Sequence, residues 1–258
     1  MAAIPNCVNA IQTSETGPLA NRIAVVTGAS SGVGRAIAVA LARQGARLVL
    51  IGRNRARLAE TVVEIKRFST ATEFPMDLAQ DGNLESLLHY LDAEGGRLDV
   101  LIHSAGIIRQ GLLEQSSIGD LDKQYVLNVR VPYSLTKTLL PYLTKARGQV
   151  VFVNSSAGLS AKRPDSGQYA ATKHALKAIA DSLREELNPK GIRVLSVYLG
   201  RTATPMQEAL FQQSGREYHP ESLLQPDDVA SLVVHSLLLP STAEVTDISV
   251  RPMTKPAL

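Results

Sequence analysis

The chain has 258 residues, of which 45% are hydrophobic, and it carries a formal net charge of +3. This composition is sufficient for one domain with a sizeable core, and the weak, scattered positive charge argues against a nucleic-acid-binding protein. The longest apolar region, residues 229–240, is too short to span a bilayer. Cys7 is the only cysteine, which excludes an intramolecular disulfide and favours a reducing compartment, so we expect a cytoplasmic protein.

Residues 1–20 contain no long apolar run and are expected to form an N-terminal tail rather than a secretory signal. Beyond them, short β-rich runs alternate with helical patterns, and several of these runs are continuously apolar, as in buried parallel strands. The predicted helices cover residues 32–44, 54–67, 120–146 and 168–187. The predicted strands cover residues 22–27, 47–52, 72–74, 98–103, 149–154, 193–198 and 247–251.

This alternation predicts an α/β fold with one doubly wound parallel sheet of about seven strands and helices on both faces. No linker divides the chain, so residues 21–258 are expected to form a single domain. Sheets of this kind bind ligands at the carboxyl ends of their strands. Functional residues are therefore expected where strands end.

The first predicted strand is followed by "TGASSGVG", which opens a helix and contains Gly28, Gly32 and Gly34. Glycines permit a tight turn and let backbone amides approach a pyrophosphate at a helix N-terminus. Ser30 and Ser31 can add hydroxyl donors. The loop therefore predicts a dinucleotide site, although a plain strand-to-helix turn would also use glycine.

Arg53 stands just after the second strand, where a protein that binds NAD usually has an acidic residue for the ribose 2′-hydroxyl. A carboxylate would repel a 2′-phosphate, whereas an arginine can bind it through two parallel hydrogen bonds. We therefore expect NADP(H) as the preferred cofactor, with NAD(H) as the alternative. The competing interpretation is that Arg53 is a solvated loop residue.

In "GQYAATKHAL", Tyr169 and Lys173 are four residues apart on the apolar stripe of a predicted helix. Lysine is rarely buried without a partner, so this placement indicates a functional pair. Ser156 follows the fifth strand, 13 residues before Tyr169, and its hydroxyl could bond a substrate carbonyl. We assign the neighbouring Ser155 to the turn.

Asn128 lies four residues before Pro132 within the predicted helix 120–146. Proline has no N–H and its ring pushes away the carbonyl four residues earlier, so the Asn128 carbonyl is freed. A simple kink at Pro132 is the alternative interpretation.

Together these segments resemble the classical short-chain dehydrogenase/reductase family. The resemblance covers roughly residues 21–252 and rests on "TGASSGVG" (27–34), "DL" (77–78), "HSAG" (103–106), "NV" (128–129), Ser156, "YAATK" (169–173) and "GRTATPM" (200–206). It implies a Rossmann-type fold and hydride transfer to or from a nicotinamide cofactor.

The resemblance also implies roles for the matched positions. Tyr169 would be the general acid in reduction and the base in oxidation, with Lys173 lowering its pKa and bonding the nicotinamide ribose. Ser156 would polarise the substrate carbonyl, and the Asn128 main-chain carbonyl would hold a water that relays protons to Lys173. Cofactor contacts would come from Gly28, Ser30, Ser31, Gly32, Val33, Gly34, Arg53, Asp77, Leu78, Ala105, Gly106, Tyr169, Lys173, Thr202 and Thr204.

Two positions depart from the family pattern. "HSAG" replaces the usual "NNAG", so we expect altered local bonding around His103, which we interpret as a structural histidine. Leu199 replaces the usual proline after the sixth strand and could reshape the pocket wall. The substrate loop is expected at about residues 203–225, with a surface helical hairpin as the alternative.

The predicted function is NADP(H)-dependent interconversion of a carbonyl and an alcohol, with Tyr169 as general acid/base. The alternative is a catalytically silent nucleotide-binding or sensor protein on the same fold. An epimerase-like or dehydratase-like relative is disfavoured, because only 85 residues follow Lys173. The expected partners are a small carbonyl or alcohol substrate and, as the resemblance to the family implies, further copies of the chain in a homodimer or homotetramer. No nucleic acid, membrane span or metal is expected.

Overall fold

Seven strands form one parallel sheet in the order β3-β2-β1-β4-β5-β6-β7. The structure is a computed structural model that describes residues 17–80 and 84–253. The strands are β1 Ile23–Thr27, β2 Arg47–Gly52, β3 Ala71–Pro75, β4 Val100–His103, β5 Gln149–Ser155, β6 Arg193–Leu199 and β7 Asp247–Val250. The predicted doubly wound parallel sheet is confirmed, and the strand order reverses between β1 and β4.

Helices cover both faces of this sheet. They are α1 Gly32–Arg43, α2 Arg55–Ile65, α3 Glu85–Ala93, α4 Ile118–Tyr125, α5 Val131–Ala146, α6 Gly167–Leu187, α7 Pro205–Gln213 and α8 Pro226–Leu237. Among the described helices, none is both long and apolar enough to cross a bilayer.

The two faces of β2 show how the sequence builds two cores from one strand. Leu48 and Leu50 pack in a cluster with α1 and α8, whereas Val49 and Ile51 pack in a second cluster with α3, α5 and α6. Side chains alternate between the faces of a strand, so a continuous apolar run fills both layers. The run "LVLI" therefore needs helices above and below it.

The predicted helix 120–146 is not one regular helix, which corrects the sequence interpretation. A π-helical turn, Val126–Arg130, separates α4 from α5, and Pro132 stands in the first turn of α5. Because Pro132 has no N–H, the Asn128 carbonyl lacks its ordinary α-helical donor. A π-turn of this kind is often found at functional sites.

The boundary of the expected N-terminal tail falls near the first described residues. Leu19 is buried, and its N–H donates to the Gln44 carbonyl at 2.9 Å. Residues 17–20 thus pack on the turn after α1. Most of the expected tail, including Cys7, lies outside the described residues.

Candidate active site

A cavity of about 540 Å³ opens at the carboxyl ends of the strands, where the topology predicts a ligand site. Of the predicted site residues, only Gly34 and Asn128 do not line it. Those that do are Gly28, Ser30, Ser31, Gly32, Val33, Arg53, Asp77, Leu78, Ala105, Gly106, Ser156, Tyr169, Lys173, Thr202 and Thr204. Residues predicted from seven separate stretches of chain therefore meet at one cavity.

The glycine loop is shaped by close backbone approach. Gly28 and Gly32 adopt positive φ angles of 68° and 54°. A Cβ on Gly28 would lie 2.8 Å from the Ala105 nitrogen, and one on Gly34 would lie 2.4 Å from the Gly28 carbonyl oxygen. Gly34 therefore supports the loop from behind, where no larger residue fits.

The N-terminus of α1 faces the cavity without a side-chain cap. Ser31 is its N-cap residue, yet its side chain makes no capping hydrogen bond. The first N–H groups of a helix need acceptors and carry a partial positive charge, so they suit a phosphate group. This uncapped end fits the pyrophosphate of a dinucleotide.

The loop after β4 is attached to β1 by one hydroxyl group. Thr27 Oγ1 accepts hydrogen bonds from the N–H groups of Ser104 and Ala105 at 3.0 and 3.1 Å, and it donates to the Ile102 carbonyl at 3.2 Å. Ala105 and Gly106 are thereby held beside the glycine loop.

His103 has a structural environment and is not among the residues that line the cavity. Its ring stacks on Phe152, and burial lowers its pKa to about 3. Thr136 Oγ1 donates to the Pro132 carbonyl, so it must accept from His103 Nε2–H across 2.8 Å. The imidazole is therefore neutral, and its Nδ1, which has no partner among the described residues, is unprotonated.

Asn128 is buried behind the cavity, where it joins two of its walls. Its side chain exchanges two hydrogen bonds of 2.9 Å with the backbone of Ile107, and its Nδ2 donates to Thr172 Oγ1 at 3.1 Å. Thr172 in turn donates to the Tyr169 carbonyl. We call the contacts between Asn128, Ile107 and Thr172 the Asn128 clamp.

Tyr169 and Lys173 meet at the cavity, as their spacing on one helix face predicts. The Lys173 ammonium lies 5.8 Å from the Tyr169 ring centroid and donates to the Val153 carbonyl at 3.2 Å. Asn154 Nδ2 donates to the Lys173 carbonyl, which attaches α6 to the end of β5. The pair therefore stands against the strand end that also carries the serines.

The structure favours Ser155 over the predicted Ser156 as the serine that acts on Tyr169, although both line the cavity. The Ser155 side chain acts on the Tyr169 hydroxyl in the direction that lowers its pKa, whereas Ser156 is exposed in the turn that follows. Strand β5 continues through Ser155, one residue beyond its predicted end, and the chain turns at Ser156. Ser155 Oγ also accepts a hydrogen bond from the Ala157 N–H, as expected for a turn residue. One side chain therefore serves both the turn and the environment of Tyr169.

Burial governs the protonation of the tyrosine–lysine pair. It raises the pKa of Tyr169 to about 12, against the smaller opposing effect of Ser155, and lowers the pKa of Lys173 to about 8. Desolvation of the phenolate is the largest effect on the pKa of Tyr169, so the net shift is upward, and the expected lowering by Lys173 stays a prediction. At neutral pH the phenol is protonated and the amine is mostly charged.

Replacing Lys173 by methionine is expected to change how stability depends on pH. The folded pKa of Lys173 is about 8, against 10.5 in the unfolded chain, so its burial destabilises the fold below pH 8. The free energy of unfolding of wild type should therefore rise, relative to that of K173M, by about 3 kcal/mol as the pH increases from 8 to 10.5.

Urea denaturation across this pH range measures the difference between wild type and variant. Lys66→Met is the matched control, because Lys66 is exposed. A difference between K173M and wild type that does not vary with pH would contradict the buried, shifted lysine.

A profile of the family described as short chain dehydrogenase matches residues 22–215. The chain belongs to this family. It is 32% identical over 233 residues to an uncharacterized oxidoreductase of Staphylococcus epidermidis, covering 90% of this chain and 97% of that one.

Two solved structures of this family are similar over most of the chain. An alcohol dehydrogenase from the archaeon Thermococcus sibiricus, complexed with 5-hydroxy-NADP, has a TM-score of 0.79 at 26% identity and covers 92% of this chain and 99% of its own. The Pseudomonas aeruginosa RhlG/NADP active-site complex has a TM-score of 0.76 at 29% identity. The match covers 89% of this chain and 94% of the RhlG chain. The chain is thus an oxidoreductase of this family with an NAD(P)-binding Rossmann fold.

Sequence reasoning missed two arginines of the cavity and assigned Ser155, which also lines it, only to the turn. Arg163 and Arg201 both line the cavity, together with Arg216 and the α7 residues Met206, Gln207, Leu210 and Phe211. A signal for Arg201 was present, because it follows Gly200 directly after β6, at the functional edge of the sheet.

Proposed function

We propose that the protein is an NADP(H)-dependent oxidoreductase that interconverts a carbonyl and an alcohol, with Tyr169 as the general acid/base. The observation that carries this proposal is the convergence of Ser155, Tyr169 and Lys173 at one cavity with the uncapped end of α1. A proton donor, a serine hydroxyl that acts on it and a cation thereby stand beside a fitting dinucleotide site.

When bound, the nicotinamide supplies or accepts the hydride. During reduction, the Tyr169 hydroxyl donates its proton to the carbonyl oxygen as negative charge develops there. The Ser155 hydroxyl donates a hydrogen bond to the same oxygen, which stabilises the charge. The Lys173 ammonium stabilises the phenolate that remains.

The protonation states suit reduction near neutral pH. Tyr169 holds its proton there because its pKa is raised to about 12, and Lys173 keeps most of its charge because its pKa is about 8. Asn128 has a positioning role in this proposal, and its carbonyl, without an α-helical donor, is available to a water.

The remaining predicted contacts are proposed to hold the cofactor. Asp77 and Leu78 would contact the adenine, and Ala105 and Gly106 the ribose. Thr204 Oγ1 accepts from the Gln207 N–H and donates to the Thr202 carbonyl, while Thr202 Oγ1 donates to the Gly200 carbonyl. Both hydroxyl protons are therefore engaged, so these threonines would accept from the carboxamide rather than donate to it.

Replacing Arg53 by alanine is expected to raise the Kd for NADPH by roughly 10- to 100-fold and the Kd for NADH by less than about threefold. The reason is that Arg53 lines the cavity beyond β2, where a 2′-phosphate would lie, and NADH lacks that phosphate. Fluorescence titration of the two cofactors measures both constants.

Arg55→Ala is the matched control, because Arg55 is exposed on α2 and is not among the lining residues. Equal losses for NADPH and NADH in R53A would overturn the preference for NADP(H).

A panel of aldehydes, ketones and alcohols with NADPH and NADP⁺ tests the reaction itself. Consumption or formation of the reduced nicotinamide supports the proposal, and binding without any turnover supports the silent nucleotide-binding alternative. The expected cytoplasmic location and homo-oligomeric state, with the substrate loop at 203–225, stay predictions. Size-exclusion chromatography with light scattering measures the oligomeric state.

A further inference from the structure

Three arginines line the cavity near the serine and tyrosine. Arg201 lies two residues beyond β6, which pairs with β5 so that Leu199 is opposite Ser155. Arg163 precedes α6, and Arg216 follows α7. We call Arg163, Arg201 and Arg216 the arginine cluster; its members come from three different segments of the chain.

The positive charge of the arginine cluster is incompletely balanced. Asp165 forms a bidentate ion pair with Arg163, with hydrogen bonds of 2.6 and 3.0 Å, and it also interacts electrostatically with Arg201 and Arg216. One carboxylate therefore faces three guanidinium groups. Asp77, the only acidic residue among the described residues that line the cavity, lies beyond β3.

Arg201 is the least satisfied member of the cluster. Its Nη1 is buried and has no hydrogen-bond partner among the described residues. Burial and the nearby Arg163 and Arg216 lower its pKa, which shows that the charge is held at a cost in free energy.

The residues around the arginine cluster do not offset the free-energy cost of the positive charge on Arg201. The Phe211 ring lies 5.9 Å from the Arg201 guanidinium and 5.6 Å from that of Arg216. Arg216 Nε donates to the neutral Ser214 hydroxyl. The nearby acids Glu208 and Glu217 are exposed; the first acts on Tyr218 and the second faces His219.

The arginine cluster is too far from Arg53 to serve the same phosphate. Arg53 follows β2 and Arg201 follows β6, and β1, β4 and β5 lie between these two strands. Four interstrand spacings amount to roughly 19 Å. In contrast, β5 and β6 are adjacent, so Arg201 belongs to the end of the cavity where Ser155 and Tyr169 stand.

We propose that the substrate carries an oxyanion, a carboxylate or a phosphate, and that Arg201 and Arg216 bind it while Ser155 and Tyr169 contact its carbonyl. This inference rests on the proposed function and names the class of its substrate. A guanidinium matches both oxyanions through two parallel hydrogen bonds, and the anion would supply the acceptor that Arg201 lacks. Arg163 is already paired with Asp165 and adds to the local positive potential.

Reduction of matched ketones by the full chain with NADPH tests this inference. The pairs are levulinate against methyl levulinate, and hydroxyacetone phosphate against hydroxyacetone. The wild type should show a kcat/KM for the anion at least about tenfold above that for its neutral partner, and R201M should lower this ratio by roughly 10- to 100-fold. R216M should also lower the ratio of the two kcat/KM values. R201K should retain part of this ratio because lysine keeps the positive charge.

Arg109→Met is the charge control, because Arg109 is exposed near the cavity but is not among its lining residues. This variant should leave the ratio unchanged. The pair with the larger ratio identifies the oxyanion as carboxylate or phosphate. Equal kcat/KM values within both pairs, or ratios that R201M leaves unchanged, overturn the inference.

Calorimetry separates failure of this inference from failure of the proposed function. Levulinate and hydroxyacetone phosphate are each titrated into the chain saturated with NADP⁺, which cannot donate a hydride. If no ketone is reduced but an anion binds to wild type and not to R201M, the anion site stands and the proposed reaction falls. If neither anion binds, the anion site is overturned.

Discussion

Replacement of Tyr169 by phenylalanine is expected to lower kcat for carbonyl reduction by roughly three to four orders of magnitude. The variant keeps the half-buried ring against Lys173 but loses the hydroxyl that donates the proton. No other phenol lines the cavity among the described residues, so none can replace it there. Steady-state assays with NADPH and a ketone found in the substrate panel measure this loss.

Cofactor titration shows whether Y169F retains its binding site. The Kd for NADPH should change by less than about tenfold, because at most one neutral hydrogen bond is lost. Tyr133→Phe is the matched control, since Tyr133 is half exposed on α5 and is not among the lining residues. Full activity in Y169F would show that the assigned mechanism is wrong.

The second large effect concerns the two neighbouring serines. Ser155→Ala should lower kcat by roughly 10²- to 10³-fold, the usual loss when one donor to a developing oxyanion is removed. Ser156→Ala should change kcat by less than about threefold, because Ser156 is exposed in the turn after β5. Parallel kinetics of the two variants decide between adjacent residues of the same type.

Ser155→Ala also removes the acceptor of the Ala157 N–H, which is expected to cost about 1 kcal/mol of stability. Ser155→Thr separates the two effects, because it retains a hydroxyl, and should recover part of kcat. A larger loss in S156A than in S155A would restore the assignment made from spacing and refute the one made from geometry.

This serine pair shows where sequence reasoning reaches its limit at the site. The apolar run, the two serines and the later tyrosine predict that a serine at the end of β5 meets Tyr169, and the structure places one there. Which serine it is depends on whether the strand ends at 154 or 155. A difference of one residue reverses the direction of a side chain, and no pattern in the sequence sets it.

Elsewhere, patterns between neighbouring residues were sufficient to predict strands and turns, whereas contacts between distant segments could not be predicted. The continuous run "LVLI" predicts a strand covered on both faces, as the structure shows. The glycine spacing predicts a tight turn, and Gly28 and Gly32 adopt the positive φ angles that favour glycine there. The charges of Arg163 and Arg201 converge only because separate elements end at one edge of the sheet. The pKa of Tyr169 depends on desolvation, which a sequence does not reveal.

The Asn128 clamp has an entropic consequence for ligand binding. It joins the Ile107 segment after β4 to Thr172, which itself holds the carbonyl of Tyr169. Two walls of the cavity are therefore preorganised before any ligand arrives, and ordering them costs little conformational entropy during binding. More of the free energy gained from cofactor contacts then remains to orient the substrate for reaction.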